Sequence, residues 1–332
     1  MASYTPLPYF TSSWNSSATD ASVTDSLLVV IMPGINQKSV LSTLRVRDAM
    51  RRLVVHLPAE ASIAQAIREM IKFKVNAVLV SREKIEALGV VSKTNILGAY
   101  YGGLPVDTPL TDVLAAPLVF CHPDDSLDAA LDKMRTHNIH RLYVSEEDKP
   151  VQAAGVLAYT DIAGLLYRFC HKCPKSTLRS ANSDASEKSP DYFRVGEVMI
   201  TSVHGHLETD SLGTVMESLF TERVRTALIR NESGIPTGVV STSDLMIAFL
   251  HGLSHDVQAK DIMSSPVRVC EQTEPLVTAI QRMVFADIQS LYVYKENPHN
   301  IIGMLSLSEI ARIRSGSCRA CLVSRIEIEE SI

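Results

Sequence analysis

One short pattern of apolar and acidic positions occurs four times along the chain. Each copy has an apolar first residue, an acidic third residue and Met or Leu in fifth place, in segments 46–50, 110–114, 195–199 and 259–263. In every copy an apolar stripe with helical spacing begins 18 residues after the acid. Because this interval is constant, the pattern indicates an internal repeat that contains an amphipathic helix.

Two strands and a second helix are predicted to complete each copy. A short β-rich run opens 28 residues after each acid, at Asn76, His140, Arg225 and Gln289. A glycine 41 to 43 residues after the acid then begins a second strand that runs into a helix. The pattern therefore predicts repeats of strand, helix, strand, strand and helix, an α/β fold of the α+β type.

The glycines that begin these second strands divide the four repeats into two pairs. Gly89, Gly155, Gly238 and Gly303 are separated by 66, 83 and 65 residues, so an insertion of about 17 residues lies between the pairs. A single repeat leaves one face of its sheet uncovered, so we expect the repeats to pair into two modules. The predicted segments are a Ser/Thr-rich tail at 1–43, repeats at 44–104, 108–169, 193–252 and 257–316, a linker at 170–190 and a C-terminal tail at 317–332.

Composition argues against several classes of protein. The 332 residues are 46% hydrophobic with a mean hydropathy of +0.10, which is enough for buried cores. A formal net charge of -5 does not suit a nucleic-acid partner. No apolar run approaches the roughly 18 to 20 residues of a membrane span. Residues 1–37 lack the Lys and Arg of secretory and mitochondrial signals, so we expect a cytoplasmic protein without a membrane partner.

The turn between the last strand and the last helix has a recognisable sequence. It reads Gly, two apolar residues, Ser/Thr, any residue, Ser/Thr, Asp and an apolar residue, matched in full at 238–245 and in part in the other three repeats. Four such turns in register resemble the cystathionine-β-synthase (CBS) domain family, arranged as two tandem Bateman modules over about residues 44–316. The layout is similar to that of the regulatory gamma subunits of AMP-activated and SNF1-type kinases.

This resemblance implies a non-catalytic protein that binds adenine nucleotides between paired repeats. In the family the acid of the turn accepts hydrogen bonds from both ribose hydroxyls, and the hydroxyl three residues earlier also faces the nucleotide. A carboxylate suits a vicinal diol because both of its oxygens are acceptors. Two repeats keep the acid, and the residues implied are Ser241, Ser243 and Asp244 in repeat three and Thr160 and Asp161 in repeat two.

The four turns differ in how well they match this pattern. Repeat three is the most complete and is our first expectation for a site, since repeat two has Ala158 in place of the first hydroxyl. The acid is replaced by an amide or by a longer carboxylate in the other two repeats, which carry Ser92 with Asn95 and Ser306 with Glu309. A simpler interpretation of every acid, which stays open, is an ordinary first-turn capping residue of a helix.

Phosphate groups need cations, and the family often places them 28 residues after the acid. His140, Arg141 and Arg225 fit this role, whereas Asn76 and Gln289 do not. We therefore expect a phosphate clamp in repeats two and three, with one or two occupied nucleotide sites rather than four. The alternative is that His140 and Arg141 only cover the edge of the sheet with their stems.

Two CxxC pairs occupy equivalent positions in repeats two and four. Cys170 with Cys173 and Cys318 with Cys321 each begin nine residues after the acid of the turn. Four thiolates can form a tetrahedral zinc site, although a separation of 144 residues between the pairs is far from a local zinc-ribbon spacing. Inert thiols at helix ends are the alternative, and a redox pair lacks a thioredoxin-like βαβ setting. Six cysteines without a secretory signal favour a reducing compartment.

No pattern of a catalytic site accompanies the repeats. The sequence contains no nucleophile–base constellation, Walker loop or dinucleotide fingerprint, so we expect a protein that is not an enzyme. The regulatory interpretation implies a partner that reads the nucleotide state, either a regulated enzyme, kinase or transporter or a second copy of the chain. The ligands it leaves open are AMP, ADP, ATP and S-adenosylmethionine. The alternative function is a metal- or redox-responsive scaffold that uses the CxxC pairs and has degenerate nucleotide sites.

Overall fold

A computed structural model describes residues 40–82, 86–115, 118–145, 153–172, 192–222 and 224–313. All of them belong to the same compact unit of the chain, which begins at Gln37. The N-terminal tail up to residue 39, most of the predicted linker and the C-terminal tail lie outside the described residues.

The described elements follow the predicted order in all four repeats. Repeat one contains α1 (Val46–Ala49), β1 (His56–Pro58), α2 (Ile63–Lys72), β2 (Ala77–Arg82), β3 (Glu86–Ser92) and α3 (Lys93–Tyr101). Repeat two contains β4 (Phe120–Cys121), α4 (Leu127–Thr136), β5 (Arg141–Val144), β6 (Gly155–Ala158) and α5 (Tyr159–Lys172). Repeat three contains β7 (Gly205–Leu207), α6 (Leu212–Thr221), β8 (Thr226–Arg230), β9 (Pro236–Ser241) and α7 (Thr242–Leu250). Repeat four contains β10 (Val269–Glu271), α8 (Leu276–Phe285), β11 (Ser290–Lys295), β12 (Asn297–Ser306) and α9 (Leu307–Arg312).

Each repeat forms one small three-stranded sheet, and the predicted fold class is thereby confirmed. The middle strand pairs parallel with the first strand and antiparallel with the last. Helix α2 shows why the sequence folds this way. The Ser62 side chain caps its N-terminus, and Ile63, Ala66, Ile67 and Met70 are buried along one face at the spacing of an amphipathic helix.

The segment that opens each repeat packs against the other repeat of its module. Arg45, just before α1, forms a β-bridge with Ser126 of repeat two, and Pro109 of repeat two bridges back to Ser62. The backbone N–H of Val46 donates to Asp125 O at 2.9 Å. The second module repeats this exchange through the bridges Arg194–Pro275 and Ser211–Gln258.

This exchange explains the glycine that begins the last strand of each repeat. A Cβ atom at Gly89 would lie 2.7 Å from Ala115 O, and one at Gly303 would lie 2.6 Å from Ile200 O. Real Cβ atoms do not approach a carbonyl oxygen so closely, so a side chain there would push the paired repeats apart. The glycine is thus required by the close approach of the exchanged segment.

The hydrophobic cores join repeats from different modules. One core combines the buried residues of repeats one and three, and the other combines those of repeats two and four. Tyr100 of α3 stacks on Phe249 of α7 with ring centroids 4.7 Å apart and donates its hydroxyl hydrogen to Leu253 O at 2.7 Å. Each module therefore contributes to both cores, and the N-terminal ends of the last helices lie near the centre of the unit. Among the described residues, no helix is long and apolar enough to cross a membrane.

Candidate functional site

The turn of repeat three forms a complete capping box. Ser241 is the N-cap of α7, and its hydroxyl accepts hydrogen bonds from the backbone N–H groups of Ser243 and Asp244 at 3.2 and 3.3 Å. Asp244 Oδ2 accepts from both the backbone N–H and the hydroxyl of Ser241, at 2.8 and 2.6 Å. Asp244 Oδ1 accepts from the Ser264 hydroxyl at 3.1 Å. Both oxygens of this carboxylate therefore have intramolecular partners.

Repeats one and four use the same local arrangement. In repeat one, Asn95 Oδ1 accepts from the backbone N–H and the hydroxyl of Ser92 at 3.0 and 2.5 Å. In repeat four, the Ser306 hydroxyl donates to Glu309 Oε2, and Arg312 Nη1 lies 2.9 Å from Glu309 Oε1. In these turns the residue in the position of the acid stabilises the start of a helix.

Repeat two departs from the capping box, because it has no hydroxyl at the N-cap. Asp161 Oδ2 accepts from the Ala158 backbone N–H at 2.9 Å, and Asp161 Oδ1 lies 2.9 Å from Arg51 Nε. The Asp161 side chain is only 10% exposed. Burial raises its pKa, while the charge of Arg51 and the Ala158 hydrogen bond act in the opposite direction. This is a buried carboxylate whose second partner comes from another repeat.

A cleft of about 560 Å³, partly open to solvent, lies beside this turn between repeats one and two. Repeat one supplies Arg51, an apolar wall and Asn76, and repeat two supplies the ends of β5 and β6 and the start of α5. Arg225 of repeat three and Ser308 of repeat four close the inner end. The lining residues are Arg51, Leu53, Val54, Val55, Val75, Asn76, Ala77, Leu79, His140, Arg141, Tyr143, Val156, Ala158, Tyr159, Thr160, Arg225 and Ser308.

Cationic side chains from four repeats meet near the inner end of the cleft. Burial and the charge of Arg141 lower the pKa of Arg225 to about 10. Burial, Arg225 and Arg141 lower the pKa of Lys93 to about 8, and Lys93 Nζ donates to the Ser243 hydroxyl at 2.7 Å. Arg312 is close enough to lower the pKa of Arg225 further. Such mutual repulsion disfavours the cations in isolation and favours an anion among them.

His140 belongs to the same cluster but carries a different charge from the one we expected. Part of the residue stays open to the cleft, yet loss of bulk water and the charges of Arg225, Arg312 and Arg141 lower its pKa to about 3. The imidazole is therefore neutral near pH 7 in the unliganded protein. It offers a hydrogen bond to a ligand rather than the positive charge that the sequence suggested.

The cleft contains some of the residues implied by the sequence and leaves others apart. His140, Arg141, Thr160 and Arg225 line it, with Asp161 at its edge. The residues of the other three turns do not line this cleft, namely Ser92, Asn95, Ser241, Ser243, Asp244, Ser306 and Glu309. Sequence reasoning missed Arg51, whose one local signal is that it directly follows the repeated pattern at 46–50, and Lys93, which lies inside the turn of repeat one.

The zinc hypothesis stays a prediction. Cys170 is buried in α5, whereas Cys173, Cys318 and Cys321 lie outside the described residues. Within the described ranges there is no group of three or more His, Cys, Asp or Glu residues that could hold a metal ion. Zinc content of the purified protein, about one ion per chain and lowered by any single Cys→Ser change, is the test.

A family model described as "CBS domain" matches residues 46–102, 110–168 and 259–316. These three segments make up just over half of the chain. The chain belongs to the CBS domain family. The segment between the second and third matches contains β7, β8 and β9 in the same order and pairing, so it forms a fourth CBS repeat.

Solved structures share the four-repeat arrangement. A protein of Methanocaldococcus jannaschii, described as a proposed archaeal homologue of g-AMPK, is 14% identical and superposes with a TM-score of 0.66, over 81% of this chain and 99% of its own. An uncharacterised conserved protein of Pyrococcus horikoshii is 16% identical with a TM-score of 0.53, over 82% of this chain and 100% of its own. At these identities the likeness shows a common fold.

A curated relative matches a shorter part of the sequence. An uncharacterised protein of Methanopyrus kandleri is 28% identical over 121 residues, which is 36% of this chain. The match spans 61% of the length of that relative.

Proposed function

We propose that this CBS protein is a non-catalytic regulatory protein that binds an adenine nucleotide in the cleft between repeats one and two. The observation that carries the proposal is the combination, in one cleft, of an apolar wall, a buried carboxylate and a cluster of cations. A nucleotide presents the three matching parts in a fixed order, namely a flat base, a ribose diol and a phosphate.

The apolar wall supports a site for the base. Val55 and Leu79 are buried, but Leu53 is 53% exposed although it lines the cleft. Covering this side chain removes apolar surface from water, which favours a flat ligand inserted between Leu53 and the opposite wall formed by Val156.

The polar ends of the cleft support sites for the ribose and the phosphate. Asp161 is an acceptor within reach of the cleft edge, and the Thr160 residue beside it lines the wall. Arg141 and Arg225 line the inner end, where a phosphate would relieve the repulsion between them. The same arrangement disfavours nucleic acid, whose backbone does not fit a closed inner end.

The origin of the lining residues supports a signalling role. Arg225 and Ser308 belong to the second module, although the cleft lies between the repeats of the first. A phosphate held by Arg141 and Arg225 would therefore connect the two modules. We propose that a regulated enzyme, kinase or transporter, or a second copy of the chain, reads this connection.

Calorimetric titration of the full chain with AMP, ADP, ATP and S-adenosylmethionine tests the proposal. We expect saturable binding of at least one adenine nucleotide and an increase in Tm at saturating ligand. Absence of binding and of stabilisation with all four ligands would show that the cleft is not a nucleotide site.

A further inference from the structure

The pairing of Arg51 with Asp161 poses a problem for any ligand that needs Asp161. Arg51 Nε occupies Oδ1 of this carboxylate at 2.9 Å, and Ala158 N–H occupies Oδ2 at the same distance. A ribose diol must therefore compete with a guanidinium for a carboxylate that is 90% covered. Two hydroxyl donors replace one charged donor, so a neutral nucleoside gains little from the exchange.

The position of Arg51 is fixed by its backbone and not by its side chain. The backbone N–H of Arg51 donates to Val156 O, and the Val156 N–H donates to Arg51 O, both at 2.9 Å. These two bonds hold the residue in the wall of the cleft. The side chain is 43% exposed, so it can leave Asp161 without disturbing a packed core.

The inner end of the cleft offers a released Arg51 a new partner only when the ligand is charged. Arg51 is near enough to Arg141 to lower its pKa, and both line the same cleft. A phosphate that reaches Arg141 is therefore within the electrostatic range of Arg51 as well. A nucleoside leaves the released guanidinium without a counter-ion, whereas a nucleotide supplies one.

We propose that Arg51 is the residue that makes this cleft select nucleotides over nucleosides. In the unliganded protein it neutralises Asp161. When a nucleotide enters, the ribose takes Asp161 and Arg51 moves to the phosphate. Arg51 thus opposes binding of the uncharged part of the ligand and favours binding of the charged part. This inference rests on the proposed nucleotide site.

Binding of adenosine and of AMP to the wild type and to Arg51→Ala tests the inference. We expect the wild type to prefer AMP, and Arg51→Ala to reduce the ratio of AMP to adenosine affinity by about tenfold or more, with adenosine bound more tightly than by the wild type. Arg51→Lys should keep most of the preference for AMP, because its charge remains near the phosphate. Arg52→Ala is the matched control, since Arg52 is exposed and does not line the cleft, and its ratio should equal that of the wild type.

Two results overturn the inference, and they differ from failure of the nucleotide site itself. An unchanged ratio in Arg51→Ala, or a parallel loss of adenosine and AMP affinity, would show that Arg51 is only part of the wall. Unfolding curves of each variant separate such a loss from misfolding. If the wild type binds neither AMP nor adenosine, the proposed function falls and this inference falls with it.

Discussion

The cleft of module one is filled in by side chains in module two. In module one, Tyr143 of β5 faces Val156 of β6, and in module two Tyr292 of β11 faces Met304 of β12 in the same register. The Tyr292 hydroxyl donates to Thr226 Oγ1 at 3.3 Å, and the Thr226 hydroxyl contacts Met304 Sδ at 3.4 Å. The shared fold determines where a cleft can form, and a few side chains determine whether it is open.

The two modules also differ in charge at equivalent positions. Where repeat two has Arg141, repeat four has Ser290 in the same register against the last strand. Asp161 of repeat two corresponds to Glu309 of repeat four, and the Glu309 carboxylate is held by Arg312 and Ser306. The groups that suit a diol and a phosphate are thus concentrated at the cleft of module one.

Replacing Asp161 is expected to have the largest effect on this difference. Asp161→Ala removes the acceptor of the ribose diol, and we expect AMP affinity to fall by about 30- to 150-fold. The wild type should bind 2′-deoxy-AMP more weakly than AMP, and the variant should lose that preference. Calorimetry with both ligands measures the change.

Asp244→Ala is the matched variant in module two. Because Asp244 completes a capping box, we expect it to lower the free energy of unfolding by about 1 kcal/mol and to leave AMP affinity unchanged. Loss of AMP affinity in Asp244→Ala but not in Asp161→Ala would place the site in repeat three, where the sequence motif is most complete.

Filling the open cleft should come next in size. Val156→Met installs in module one the residue that module two has at the equivalent position, so we expect AMP affinity to fall by about tenfold or more. The fold should survive because the added atoms enter the cleft and not a core. Met304→Val is the control and should leave AMP affinity unchanged. Undiminished binding by Val156→Met would show that the ligand lies elsewhere.

Removing the cation contributed by repeat three should weaken binding according to ligand charge. We expect Arg225→Ala to lower ATP affinity by about tenfold, AMP affinity less and adenosine affinity least, with the loss shrinking as salt rises. Arg230→Ala is the control, because Arg230 lies in the same repeat and donates to Gly234 O on the surface. Equal losses for all three ligands would contradict a phosphate contact.

The sequence predicted the fold of each repeat but not how the repeats join. Constant intervals between apolar stripes and strands determine the order of elements, and the structure confirms that order. The same apolar stripe marks Tyr100 and Phe249 as buried without showing that they contact each other. Periodicity indicates which face of an element is covered, whereas the covering partner depends on long-range packing.

The candidate site was predictable in part for a similar reason. His140, Arg141, Thr160 and Arg225 stand at equivalent repeat positions, so the motif could name them. Ser241 with Asp244 match the motif best, yet a hydroxyl followed three residues later by an acid is also the pattern of a capping box. The missing hydroxyl at Ala158 weakens the motif and leaves Asp161 open to another partner. That partner lies more than a hundred residues away in sequence, beyond the range of a local motif.

Lys93 should give the smallest effect, a dependence of AMP affinity on pH. Its pKa of about 8 lies below the ordinary 10.5, so the unfolded chain binds more protons between these values and the unliganded fold gains stability as pH rises through that range. A phosphate near Arg141 and Arg225 favours protonated Lys93, so AMP binding takes up protons at pH 8 to 9, and affinity should fall a few-fold, by about threefold, from pH 7.5 to 9.5. Calorimetry in buffers of different ionisation enthalpy measures the uptake. Lys93→Met should abolish it and Lys72→Met should not, whereas proton uptake that persists in Lys93→Met would assign the titration to another group.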